Sequence, residues 1–256
     1  MSYYQKTPKD IRKMREAGRL VALTFEVLEK YLRPGTVLSQ LDAIAEDFIR
    51  SKGALPLYKG YTANDVRQPP FPGTICASVN DEICHGMPDR RVLKEGDIIG
   101  IDIGLRLDGF CGDACKTFPV GEISADARRL LTVSEKCLDV GIAAVSPRGY
   151  LNDIGDAIET YANSQGVSVV REWGGHGIGR NLHEPPSVSH YRQPGRGLKL
   201  RPGLVFTIEP MINLGTHAWV LMPDKWTVKT EDGQLSAQFE HTIAIKSEDI
   251  EILTLP

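Results

Sequence analysis

The sequence predicts an α/β chain of the α+β type, arranged as a pseudo-two-fold pair of αα-plus-antiparallel-sheet halves with a metal site on the inner sheet face. Three observations predict it. Two helical segments, Leu38–Gly53 and Leu151–Gly166, match each other at a displacement of 113 residues without a gap. The run IGIDIGLRLDGFCGDACKTF holds two alternating strands joined at Asp108-Gly109, a strong two-residue hairpin signal. Lone acids interrupt the apolar, β-prone runs LVFTIEPMI and LSAQFEHTIAI.

Taken in order, the first helix opens at Thr7-Pro8, an N-cap followed by proline at the first helical position. Ile11, Met14, Leu20, Val21, Phe25 and Leu28 give it an apolar stripe, and Arg33-Pro34-Gly35 stops it. The second helix, LSQLDAIAEDFIRSKG, opens with Ser39 and Asp42 as a capping box and closes on Gly53. The hairpin follows. The helix SADARRLLTVSEKCLDVGIAAVSPRG then ends in Pro147 and Gly149 as the first one ends in Pro34 and Gly35. LNDIGDAIETYANSQG repeats the second helix, pairing Glu46 with Glu159, Phe48 with Tyr161 and Ser51 with Ser164. One catalytic domain over residues 1–256 is expected, with an internal repeat of about 7–120 and 124–250, continuous sheets, and helices on one outer side.

The hairpin register can be worked out from the turn. Centring it on Asp108-Gly109 pairs Leu107 with Phe110, Gly104 with Asp113 and Asp102 with Cys115, so both aspartates leave one face as diagonal neighbours. Ile101 and Ile103 point into the core. Adjacent inward carboxylates are costly unless a cation neutralises them. Glu209 and Glu240, mid-strand acids by pattern, and His176 in the glycine-rich WGGHGIGRNLH join the candidate set. Four carboxylates and one imidazole, formally minus four, balance two divalent cations. Oxygen with a single nitrogen and no thiolate suits Mn, Fe(II), Co or Zn.

The blocks ICHGMP, IDIG…GFCGDACKTF, GGHGIGRNLHEPP, FTIEPMIN and SAQFEHT, in this order, resemble those of type I methionine aminopeptidase across nearly the whole chain. The resemblance implies the pita-bread fold, a dinuclear metal centre and removal of initiator methionine from nascent polypeptides whose second residue is small. The family's ligands fall on Asp102, Asp113, His176, Glu209 and Glu240, the five already reached from chemistry. It also places His85 near the scissile amide nitrogen, His183 on the substrate carbonyl, and Phe71, Cys76, Leu182 and Trp226 around the methionine side chain. A hydroxide bridging the metals would attack the first peptide bond, with Glu209 shuttling the proton. His183 lies seven residues after His176, so the chain must turn between them, which Gly177 and Gly179 permit. The 33-residue step from His176 to Glu209 leaves no room for the helical insertion of type II relatives. The chain departs from the pattern in a longer 54–73 segment, in Leu182, in Trp173 and in Ala114-Cys115.

Other classes are less compatible. A proline-directed peptidase of the same fold would carry a large N-terminal domain, and a noncatalytic binding protein on this scaffold would have lost ligands. Net charge is −3 with a pI near 6.1, which offers no basic field for nucleic acid. No apolar run of about 18 residues suggests a membrane span. Five cysteines without a CxxC pair point to a reduced cytoplasmic protein. Nascent N-termini are the expected partners, with the ribosome met locally and the chain a monomer.

Overall fold

The computed structural model describes residues 5–62 and 68–256; stretch 63–67 of the long 54–73 segment lies outside the described residues. In the first half come α1 (Pro8–Glu29), α2 (Leu38–Ser51), β1 (Leu55–Pro56), β2 (Cys76–Val79), β3 (Glu82–Cys84), β4 (Ile98–Leu107) and β5 (Phe110–Pro119). In the second come α3 (Ala125–Ala143), α4 (Asn152–Ser164), β6 (Ser168–Val169), β7 (Gly175–Gly177), β8 (Glu184–Val188), β9 (Val205–Ile208) and β10 (Met211–Asn213). The chain closes with β11 (Trp219–Leu221), β12 (Val228–Thr230), β13 (Ser236–Gln238), β14 (His241–Ile245) and β15 (Ile250–Ile252).

Helix starts follow local chemistry. The Thr7 hydroxyl accepts from Asp10 N at 3.2 Å while the Asp10 carboxylate accepts from Thr7 N at 2.9 Å, so two otherwise orphaned amides are satisfied reciprocally. The helix ends at Glu29, ahead of the predicted stop, because the chain then turns through Gly35 at φ 94° to give its N–H to Leu93 O. The second start differs from the expectation. Ser39 and Asp42 do not form a capping box; the N-cap is Val37, whose N–H donates to Gln40 Oε1 at 3.3 Å. Asp42 Oδ1 instead accepts from Thr74 N at 2.7 Å and Ile75 N at 3.0 Å, fastening the segment that carries Phe71 and Cys76.

Among the described residues all strand pairs are antiparallel, and hydrogen bonding resolves them into four sheets: β1-β4-β2 with β5 on β4, β13-β10-β6, β11-β12-β3, and β15-β14-β9-β7-β8. The expected continuous sheet is therefore interrupted. The halves are joined where β5 meets residues 238–242: Glu240 N donates to Cys115 O at 2.8 Å, Thr117 Oγ1 to Gln238 O at 2.7 Å and Thr242 Oγ1 to Asp113 O at 2.8 Å. Threonine hydroxyls replace ladder bonds at this seam. At the other margin β8 is an edge strand, and its Pro185 and Pro186 fall where the pairing with β7 shifts register, a position that demands no N–H from either.

Two helix-on-sheet cores flank the acid-bearing face. Ile99, Ile101, Ile103 and Leu105 of β4 are fully buried with the α1 and α2 residues Val21, Leu28, Leu38 and Leu41. Leu130, Cys137, Ile154 and Ile158 of α3 and α4 pack on Phe206, Ile208, Ile212 and Ile243. Each β4 side chain contributes roughly 1.5–3 kcal/mol by burial. A slip of one residue would exchange them for Asp102 and Gly104, so the register is firmly held. Among the described residues no helix is long and apolar enough to cross a membrane.

Replacing Asp42 with alanine leaves the Thr74 and Ile75 amides without their acceptor. A loss of about 1–3 kcal/mol in unfolding free energy is expected in urea titrations; an unchanged midpoint would show that the Phe71–Ile75 segment is held by other contacts.

Candidate metal centre

The β4–β5 hairpin places the aspartates as its turn dictates. Gly104 pairs with Asp113 and Asp102 with Cys115, so both carboxylates leave the face opposite the buried isoleucines. Glu209 and Glu240 come from the second half, but not from strand interiors as their pattern suggested. Glu209 sits in the break between β9 and β10, and Glu240 in the break between β13 and β14. At a break the amide must find an irregular partner. Glu209 N donates to His190 Nε2 at 3.0 Å and Glu240 N to Cys115 O at 2.8 Å, which frees both side chains to turn inward.

His176 stands on β7. Its Nδ1 lies 3.0 Å from Gly177 O, and a carbonyl can only accept, so the ring proton belongs on Nδ1 and the lone pair on Nε2. That lone pair faces Asp113 Oδ2 at 3.6 Å and Glu209 Oε1 at 3.7 Å. Ligand atoms of Asp113, His176 and Glu240 all lie within 4.8 Å of one another. Asp102 falls outside this tight group and reaches it through Tyr58, whose hydroxyl is 2.5 Å from Asp102 Oδ1 and 2.7 Å from Asp113 Oδ1. Glu209 is held by Thr207 Oγ1 at 2.7 Å and Gln238 Nε2 at 3.2 Å.

The donor set fits a cation. A lone pair aimed at two carboxylate oxygens is repulsive unless a positive charge lies between them, and Glu240 Oε1 is buried with no hydrogen-bond partner. Burial pushes Asp102 up to about 7, and burial with the Asp102 charge nearby pushes Glu209 up to about 8. Burial together with neighbouring carboxylates raises Asp113 and Glu240 well above the carboxylate range. Desolvation, with His183 nearby, lowers His176 to about 4, leaving it neutral and able to ligate.

These groups line a cleft of about 1100 Å³ that also contains His85, His183, Phe71, Cys76, Leu182 and Trp226. Phe71 and Trp226 meet edge to face at 5.3 Å, Trp226 Nε1 donates to Pro69 O at 2.8 Å, and Cys76 completes the buried apolar cluster. His85 has φ 56°, a costly backbone state for a residue with a Cβ. It turns the imidazole edge-on to Trp226 at 6.4 Å, and burial lowers its pKa to about 4. The chain does turn between His176 and His183, bringing the rings to 4.3 Å. The glycines act there by size, since Gly177 and Gly179 do not take positive φ. A Cβ on Gly177 would meet Pro185 O at 2.2 Å, and one on Gly179 would meet Lys6 Cε at 2.6 Å. Leu182 is buried between the cleft and α1.

Sequence reasoning left Tyr58 and Tyr61 of the longer 54–73 segment unplaced and missed His190, Thr207 and Gln238. Tyr61 Oη lies 3.1 Å from His183 Nδ1, and buried His190 carries the Glu209 amide. Only Thr207, two residues before Glu209 in an apolar run, left a local signal. All five cysteines are free and buried.

An acid-lined cleft that fits a cation suits a metallopeptidase, and the model of metallopeptidase family M24 matches residues 12–247. The chain belongs to that family. Within it, the similarity is to methionine aminopeptidases. Methionine aminopeptidase 1 of Bacillus subtilis is 49% identical over 97% of this chain and 98% of its own length. A crystal structure of methionine aminopeptidase from Rickettsia prowazekii superimposes with a TM-score of 0.95 at 41% identity, covering 99% of this chain and 100% of that one. The Xaa-Pro dipeptidase of Bacillus anthracis, at 21% identity, a TM-score of 0.75 and 61% coverage of that chain, shares the fold alone.

Cation binding must displace the protons that the raised carboxyls hold. In chelated protein those groups contribute stability that is fully present below about pH 4, and it is lost as pH rises through about 7 and 8. The gap in Tm between cation-loaded and chelated protein is expected to widen from pH 6 to pH 9 in calorimetry. A constant gap would contradict the assignment.

Proposed function

We infer that the chain is a type I methionine aminopeptidase, a metal-dependent hydrolase that removes N-terminal methionine from polypeptides with a small second residue. One observation carries the reading: the acid-lined hollow opens directly onto an apolar pocket walled by Phe71, Cys76 and Trp226. Near full-length likeness to enzymes of that name supports it. We assign Asp102, Asp113, His176, Glu209 and Glu240 as ligands for two divalent ions per chain, from among Co, Mn, Fe(II) and Zn. Bound there, such ions supply Lewis acidity toward a carbonyl and bring the pKa of water down toward about 7.

The remaining work falls to the side chains. The aromatic pocket takes the methionine thioether, a soft apolar group that suits aromatic edges. His183 is held neutral by burial, and with Tyr61 O–H donating to Nδ1 its proton sits on Nε2, available to the carbonyl oxygen as charge develops there. Glu209 accepts a proton from the attacking water and returns it to the leaving nitrogen. His85, also neutral, faces that nitrogen from beside Trp226. In this proposal the enzyme acts as a cytoplasmic monomer on N-termini of nascent chains, which it meets as they leave the ribosome.

Two measurements test the reading. Cleavage of Met-Ala-Ser should require added Co or Mn and cease on chelation, while X-Pro peptides stay intact; the reverse preference would sink it. The substitution His183→Ala should lower turnover on the order of 10²-fold with bound metal unchanged. Full turnover in a metal-loaded variant would remove His183 from the mechanism.

A further inference from the structure

The proposed chemistry makes no use of Tyr58, although its hydroxyl lies 2.5 Å from a carboxylate oxygen of the cleft. Leu55 and Pro56 of β1 pair with Arg106 and Leu105, and Leu57 N donates to Gly104 O at 2.9 Å. The chain thus runs beside β4 and lays the Tyr58 ring across Gly104. A Cβ there would stand 2.7 Å from Tyr58 Cε1 and 2.9 Å from Cζ, well inside contact distance. Gly104 lies in regular strand, so its lack of a side chain serves the ring and not the backbone.

From this seat the hydroxyl reaches Oδ1 of Asp102 at 2.5 Å and Oδ1 of Asp113 at 2.7 Å. Asp113 is thereby divided: Oδ1 faces the phenol while Oδ2 faces His176 Nε2 at 3.6 Å. A carboxylate fixed through one oxygen can rotate little about its terminal bond, so the other keeps its direction. Such a partner commonly sets the affinity of the ligand it orients.

We propose that Tyr58 is a positioning residue, whose hydroxyl sits between one oxygen of Asp102 and one of Asp113, gives its single proton to one of the two at a time and so keeps Asp113 Oδ2 turned toward a cation beside His176, and that position 104 is glycine to admit it. This rests on reading the two aspartates as metal ligands. If Tyr58 served only as an apolar wall, loss of its hydroxyl would leave the ligands where they are.

The test is Co(II) chloride titrated into chelated, full-length protein, following the visible absorption of Co(II) and the dissociation constant by chelator competition. Tyr58→Phe, which keeps the ring, should bind about 10-fold more weakly and show an altered absorption band. Gly104→Ala, which displaces the ring but keeps the hydroxyl, should do the same, and the double variant should be no worse than Gly104→Ala alone. Wild-type affinity and spectrum in folded Tyr58→Phe would overturn the proposal. Should that variant not fold, unchanged affinity in Gly104→Ala would overturn it equally. A wild-type chain that binds no Co(II) would instead remove the ligand assignment on which the proposal stands.

Discussion

Four carboxyl groups cannot all be ionised in one dry hollow without positive charge among them, and the cleft is organised around that constraint. Burial raises Asp102, burial with the Asp102 charge raises Glu209, and burial with several neighbouring carboxylates carries Asp113 and Glu240 further. The isoleucines on the reverse of β4 make the arrangement affordable, since burying them outweighs the local repulsion by packing against α1 and α2. Stability and chemistry therefore sit on opposite faces of the same strand.

Around the acids stands a layer of uncharged groups. Thr207, Gln238 and His190 hold Glu209 through three different atoms, and the Gly177 carbonyl fixes the tautomer of His176. None of these neighbours brings a formal charge. An arginine or lysine in their place would satisfy the carboxylates permanently and leave nothing for a cation to do. Glu184 at the cleft margin is paired with Lys6 at 2.8 Å.

Legibility from sequence followed the range of the interactions involved. The hairpin register was readable to the residue because Asp108-Gly109 and strict alternation are local. The Thr7 cap was readable for the same reason. The breaks at Glu209 and Glu240 were not, because alternating apolar residues look alike whether a strand continues or stops, and what stops these strands is an amide partner far away in the chain. Asp42 looked like a capping residue from its distance to Ser39, yet the N–H donors it accepts from lie on Thr74 and Ile75, more than thirty residues on. Tyr58 and His190 belong to the same class: their partners are set by tertiary packing. Gly177 and Gly179 were legible as special because glycines around His176 permit close approach, and that is how they act.

The prolines of β8 have a consequence for any cleft visited by unfolded polypeptide. This strand borders the cavity and ends its sheet, and exposed sheet margins ordinarily recruit passing extended segments. With imide nitrogens at 185 and 186, that margin offers too few donors to zip a visitor into place.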